Sequence, residues 1–166
     1  LSMSGYGEQS RFAIRALKKY EAFLDIYIVP ISWGQTGWVH EDNEERKWLD
    51  SRIFKTVEYM QNGGKFDYSL QITIPNEWTN MADFNIGHTA GIETTRVSPQ
   101  WIQQAALMDK IILVSNHSKD VYEKTSYEGT NNQTGENVII QTQVPMEVVN
   151  YPVRSLEVDD LGLELR

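Results

Sequence analysis

The chain has 166 residues, enough for one domain with a buried core, and its 15 Lys and Arg against 23 Asp and Glu give a formal net charge of −8. A chain this acidic lacks the clustered basic surface that nucleic-acid binding requires, so we expect no nucleic-acid partner. It contains no cysteine, which excludes disulfides, thiolate zinc sites and cysteine nucleophiles. No apolar run approaches the roughly 20 residues of a membrane span. We therefore expect a cytoplasmic protein with no indicated membrane association.

The first half of the chain alternates between predicted helices and predicted strands. Apolar residues at helical spacing predict a helix over 8–22 and a second over 42–62, which two glycines end. Between them, the apolar run 26–31 predicts a short buried strand. Residues 66–74 alternate between apolar and polar side chains, which predicts a strand whose two faces are not both fully covered.

The second half continues this alternation. A strand is predicted over 83–89, and Ser98 before Pro99 predicts a helix start, because serine caps helices and proline fits their first turn. The apolar run 110–115 predicts a parallel strand buried on both faces. The remaining predictions are a helix over 118–127, a polar loop or hairpin tip over 129–135, short strands over 138–140 and 144–149, and an acidic tail from 155.

This order of elements predicts a three-layer α/β domain with a mostly parallel sheet. Ligands of such sheets bind beyond the carboxyl ends of the strands. Several polar segments are predicted at that edge, so we expect them to converge on one cleft. These segments are 4–7, 32–38, 75–78, 88–96 and 115–118.

Glycines and histidines in these segments are the first candidates for chemistry. The segment Gly5-Tyr6-Gly7 opens a helix, where backbone N–H groups can approach a phosphate, although a tight turn explains two glycines equally well. His88 ends a predicted strand and is either an acid–base residue or a structural histidine. His117, at a helix start, is a weaker acid–base candidate. With three histidines in the chain, a multi-histidine metal site is not expected.

Tryptophans are the second group of candidates. Trp33, Trp38 and Trp78 are predicted in loops, where an indole can either pack into the core or stack on a sugar ring. The chain lacks a complete dinucleotide-binding fingerprint, a P-loop and the Gly-x-Ser-x-Gly motif of serine hydrolases. These absences disfavour nicotinamide dehydrogenases, P-loop NTPases and that class of hydrolase.

Three segments resemble motifs of the family-4 (group 1) glycosyltransferases and occur in the expected order. Residues 4–11, S-G-Y-G-E-Q-S-R, resemble the family's Gly-rich loop and first helix. Residues 90–101, A-G-I-E-T-T-R-V-S-P-Q-W, resemble its E-T-x-R-x-x-x-x-W segment. Residues 108–119, M-D-K-I-I-L-V-S-N-H-S-K, resemble its D-x-I-x-x-x-S-x-x-S-K strand and helix start.

The resemblance implies the GT-B architecture, in which two Rossmann-like domains face each other across a cleft. Residues 1–154 would form the N-terminal, acceptor-side domain, with the family's first strand missing, and 155–166 a tail or the start of an interdomain linker. The donor domain and its Glu-rich motif are not found in the sequence. We therefore expect a fragment that is inactive alone.

The resemblance also implies a reaction of glycan biosynthesis. A sugar would pass from a nucleotide-sugar donor to a glycan or other hydroxyl acceptor, with retention and without a metal or other cofactor. The leaving diphosphate would help deprotonate the acceptor, so that the protein supplies positioning and charge stabilisation. The amides of Gly5, Tyr6 and Gly7 would approach the donor phosphate. The candidate catalytic residues are Glu93, from the resemblance, and His88, from its position. The candidate acceptor-binding residues are Trp78, Thr94, Arg96, Ser115, Asn116, His117 and Ser118.

Two other functions stay open. A non-enzymatic sugar-binding or interaction module of Rossmann-like fold would use the loop tryptophans and would not depend on the glycine segment. A flavodoxin-like regulator is the third possibility, but the glycine segment without a preceding strand does not fit it well.

Overall fold

The computed structural model describes residues 2–31, 37, 41–130 and 133–152. Within these ranges the helices are Gly5–Lys18 (α1), Glu44–Gln61 (α2), Pro99–Ala105 (α3) and Asn116–Lys124 (α4), with a 3-10 turn over Pro75–Glu77. The strands are Phe66–Ile72 (β1), Ala82–His88 (β2), Lys110–Leu113 (β3), Tyr127–Thr130 (β4), Asn137–Ile140 (β5) and Met146–Val148 (β6).

Four of these strands form one parallel sheet in the order β1-β2-β3-β6. The other two, β4 and β5, pair antiparallel as a separate hairpin. Helices flank the parallel sheet. The predicted Rossmann-like three-layer α/β fold with a mostly parallel sheet is confirmed. The hairpin tip was also predicted, although β4 itself was not, and residues 131 and 132 lie outside the described ranges.

Side-chain caps fix where the four helices begin. The Ser4 hydroxyl accepts a hydrogen bond from the Gly7 amide, and Asn43, Ser98 and Ser115 cap α2, α3 and α4 in the same way. Because Ser4 is the cap, α1 begins at Gly5, three positions before the predicted start, and the two glycines belong to its first turn. The segment is thus a helix start rather than a separate glycine loop.

The predicted strand over 26–31 is wrong. The Ile28 amide donates to the Thr56 hydroxyl on α2 at 2.8 Å, in place of a sheet partner. The Tyr27 ring packs against Tyr59 and Phe66, with centroid distances of 4.6 and 5.2 Å. These contacts bind the segment to α2 and to the start of β1. An apolar run does not show which partner its backbone hydrogen bonds will take.

The core lies on one side of the sheet. Its largest buried side chain is Trp78, which is 1% exposed and packs in a cluster with Ile111, Leu113 and Tyr122. On this side the buried Asn85 is satisfied, because its side-chain oxygen accepts from the Met81 amide at 3.0 Å. This packing holds the connection between β1 and β2, which contains only the 3-10 turn instead of an α-helix.

No helix in the described part of the chain is long and apolar enough to cross a membrane.

Candidate functional site

A cavity of about 270 Å³ lies between the start of α1 and the carboxyl end of β2. This volume is close to the lower end of the roughly 300–1,000 Å³ range of ligand pockets. The cavity is lined by Ser4, Gly5, Tyr6, Gln9, His88, Ala90 and Tyr151. A neighbouring cavity of about 260 Å³ shares Gly5, Gln9 and Tyr151 with it and continues along α1. The location is the one expected for a ligand of a parallel α/β sheet.

Hydrogen bonds from α1 to the end of β2 hold the cavity walls together. The Tyr6 hydroxyl bonds the Thr89 hydroxyl at 3.0 Å and accepts from the Ala90 amide at 3.2 Å. The Gln9 side-chain amide lies 3.3 Å from Nε2 of His88. These contacts join residues that are far apart in the chain, since 83 positions separate Tyr6 from Thr89. They bring the predicted glycine segment and the predicted histidine into one site.

His88 is the buried histidine that lines this cavity. It is 4% exposed, and burial lowers the pKa of its imidazole from the ordinary value of 6.5. A neutral ring accepts at Nε2 from the Gln9 amide, while Nδ1 has no hydrogen-bond partner of good geometry among the described residues. His88 therefore offers a ligand a hydrogen-bonding nitrogen in a neutral side chain.

The two glycines of α1 have different roles. A Cβ on Gly7 would lie 2.1 Å from the backbone oxygen of Ser2, so Gly7 permits close packing of the chain against itself. Its amide is also already bonded to the Ser4 hydroxyl at 3.1 Å. A Cβ on Gly5 would meet nothing within 4 Å, and Gly5 lines both cavities. Gly5, with Tyr6, is thus the part of the segment that a ligand can approach.

Charges beside the cavity are paired with each other. The Arg11 guanidinium binds the Glu8 carboxylate at 2.7 Å and donates to the Ser2 backbone oxygen at 3.0 Å. Among the described residues, those that line the first cavity include no Lys, Arg, Asp or Glu. The described part of the cavity wall is therefore uncharged and carries polar groups from Ser4, Gln9 and His88.

The E-T-x-R segment connects β2 to α3 outside the cavity wall. The Arg96 guanidinium donates to the Ser126 backbone oxygen at 2.5 Å and lies 4.5 Å from the centre of the Tyr127 ring. The Thr94 hydroxyl donates to the Arg96 backbone oxygen at 2.7 Å. Glu93 is exposed. In this structure Arg96 fastens the loop to the start of β4, and the Thr94 bond lies within the loop.

The S-x-x-S segment begins α4 and holds the same loop from the other side. The Ser115 hydroxyl accepts from the Ser118 amide at 3.1 Å, and the buried Ser118 hydroxyl accepts from the Ile92 amide at 3.2 Å. Asn116 and His117 are exposed in the first turn of α4. None of these residues lines the cavity.

The loop tryptophans divide between the core and the undescribed part of the chain. Trp78 belongs to the core, and its indole packs so closely on Gly87 that a Cβ there would lie 2.7 Å from the ring. Trp78 is therefore a packing residue, and neither face of its ring is open to a sugar. Trp33 and Trp38 lie outside the described residues.

Sequence reasoning did not assign a role to two residues of the cavity, Gln9 and Tyr151. Gln9 lies in the predicted helix over 8–22, but helical position alone does not show that it reaches β2. Tyr151 follows β6, so the rule that ligands bind at the carboxyl ends of strands could have found it. It is 47% exposed at the cavity.

The described residues contain no group of three or more His, Asp or Glu placed to hold a metal ion. Comparison of the chain with protein-family models, with curated proteins and with solved structures returns no match.

Proposed function

We propose that this domain is the acceptor-side half of a glycosyltransferase that uses a nucleotide-sugar donor. The observation that carries the proposal is the cavity in which the glycine segment of α1 meets His88 at the carboxyl end of β2. Parallel α/β sheets bind ligands at this edge. The three segments that resemble the family, in the expected order, add support from the sequence.

The proposed reaction is a direct transfer between two sugars or between a sugar and another hydroxyl compound. The acceptor oxygen forms a bond to the anomeric carbon as the bond from that carbon to the nucleoside diphosphate breaks. The acceptor proton passes to the departing diphosphate, so no side chain has to keep it. A second domain would hold the nucleotide, and this domain would supply position and orientation.

The residues of this domain would divide the work by location. The first amides of α1, at Gly5 and Tyr6, face the donor phosphate, because the first amides of a helix have no intrahelical acceptor. His88, held neutral by burial and accepting at Nε2 from Gln9, donates its Nδ1–H to the oxygen of the acceptor hydroxyl. Glu93 is exposed on the loop after β2, where a residue can reach a second domain. Its catalytic role rests on the resemblance.

The test is a transfer assay with the protein expressed from its complete reading frame. It is incubated with a panel of nucleoside-diphosphate sugars and candidate acceptors, and release of the nucleoside diphosphate is measured. We expect Gly5→Val to lower the rate at least about tenfold, because the new side chain fills open space at the start of α1. Gly7→Val is unsuitable, since its Cβ would meet the Ser2 backbone.

Gly91→Val is the matched control. Gly91 is exposed, does not line the cavity, and a Cβ there would be 3.7 Å from the nearest atom, on Val114. Circular dichroism establishes that all variants are folded. Equal rates for Gly5→Val and the wild-type protein would contradict the proposed donor approach. The absence of any transfer would leave the alternative, a non-enzymatic sugar-binding module that uses the same cavity.

A further inference from the structure

The cavity also indicates what kind of acceptor it takes. We infer, on the basis of the proposed function, that the acceptor is an uncharged glycoside whose sugar ring lies in the cavity beside Tyr151, with its hydroxyl groups bonded to His88 and Gln9. The resemblance gives Gln9 and Tyr151 no role in binding an acceptor, so the inference goes beyond it.

The first argument is the lack of a counterion for an anionic group. No charged side chain is among the described residues of the cavity wall. The nearby Arg11 is already bonded to Glu8 and to the Ser2 backbone. A phosphate or carboxylate on the acceptor, placed beside Tyr151, would lose hydration without gaining a cation from the described cavity wall, in a chain whose net charge is −8.

The second argument is the set of hydrogen-bonding groups. Sugar hydroxyls both donate and accept, and the wall provides groups that can match them. Nδ1 of the buried His88 has no hydrogen-bond partner of good geometry among the described residues, and the amide of Gln9 has an oxygen in addition to the nitrogen that contacts His88. A buried nitrogen without a partner is costly, so a ligand hydroxyl at this position is favoured.

The third argument is the aromatic rim. Tyr151 is half-exposed and lines both cavities, and Tyr6 of α1 lines the first. The weakly apolar C–H face of a sugar ring packs on such a side chain, while the phenol group remains hydrated. Hydroxyl-binding groups inside and an aromatic ring at the mouth together favour a neutral ring.

The experiment is a binding measurement by saturation-transfer-difference NMR and titration calorimetry on the wild-type protein. The neutral probes are methyl α-D-glucopyranoside, methyl α-D-mannopyranoside and methyl β-D-galactopyranoside. The charged probes are glucose 6-phosphate and glucuronic acid. We expect at least one neutral glycoside to bind about tenfold or more tightly than every charged probe.

Three variants locate the binding. Tyr151→Ala is expected to weaken binding of the neutral glycoside by about two- to tenfold, because it removes the aromatic contact. Tyr20→Ala, which truncates an exposed tyrosine outside the cavity, is the matched control and is expected to leave the affinity unchanged. Gln9→Lys places a cation in the wall and is expected to shift the preference toward glucose 6-phosphate.

The inference is overturned if a charged probe binds the wild-type protein as tightly as every neutral glycoside, if no probe binds, or if Tyr151→Ala and Tyr20→Ala have equal effects. Its failure can be told from failure of the proposed function. Transfer to a charged acceptor would overturn the inference and support the function. Binding of a neutral glycoside by a protein without transfer activity would support the cavity assignment and leave a sugar-binding module as the function.

Discussion

The two faces of the parallel sheet differ in how completely they are covered. On one face, Asn85 and Gly87 of β2 are buried beneath Trp78 and the core cluster. On the other, Tyr68 of β1 is 73% exposed beside Phe84. This second face is covered at its start, where Phe66 packs against Tyr27 and Tyr59, and at its carboxyl end, where His88 meets α1. The cavity lies at that boundary, so the covered face provides rigidity and the partly covered face provides the binding position.

The largest expected effect comes from opening the covered face. Trp78→Ala removes the largest fully buried side chain of the described core, and such truncations cost about 3–5 kcal/mol of unfolding free energy. Urea denaturation followed by circular dichroism measures the loss. Gly87→Ala is expected to destabilise as well, because its Cβ would lie 2.7 Å from the rigid indole.

The double variant tests whether this contact is the cause. Once Trp78 is alanine, the new Cβ at Gly87 enters space that the ring has left. The cost of Gly87→Ala is therefore expected to fall in the Trp78→Ala background. Strictly additive costs would contradict the packing of Trp78 on Gly87.

The sequence allowed the elements to be predicted where a local signal controls them. Ser98 with Pro99 predicts the start of α3, and the apolar run 110–115 predicts β3, because caps and burial of both faces leave local patterns. The segment 26–31 has the pattern of a strand too. Its hydrogen bond to Thr56 depends on where α2 lies, and no local pattern shows that.

The same distinction applies to the site. Gly5, Tyr6 and His88 could be proposed from their types and from their places at element ends. Gln9 could not, since its role depends on a contact with His88 across the fold. Trp78 also depends on long-range packing: its loop position left both core packing and ligand contact open, and its burial against Gly87 decides for the core.

A smaller effect on stability is expected from titrating His88, where the second face of the sheet meets α1. Because burial lowers the pKa of His88, the unfolded chain takes up its proton near pH 6.5 while the folded protein stays neutral. The contribution of neutral His88 to the free energy of unfolding is thus fully present above about pH 6.5. It falls as the pH decreases below that value, by at most about 1.4 kcal/mol per pH unit for one proton. Thermal and urea denaturation between pH 7.5 and 5.5 should show this slope, and His88→Gln should reduce it.

His117→Gln is the matched control for removing an imidazole, because His117 is exposed on α4 and outside the cavity. Equal slopes in the two variants would contradict the assignment to His88. A stability of wild-type protein that rises as the pH falls through 6.5 would contradict the sign, since it would require a charged imidazole in the folded state.

The smallest effect is expected on the open part of the second face. Tyr68→Ser removes a ring that is mostly in solvent and contacts Phe84 with a centroid distance of 5.8 Å, so the unfolding free energy should change by no more than about 1 kcal/mol. The measurement is the same urea denaturation. A loss comparable to that of Trp78→Ala would mean that Tyr68 is covered in solution, and both faces would then contribute equally to the core. A small loss, with binding in the cavity unchanged, would instead show that closure by α1 at His88 is sufficient to build the site.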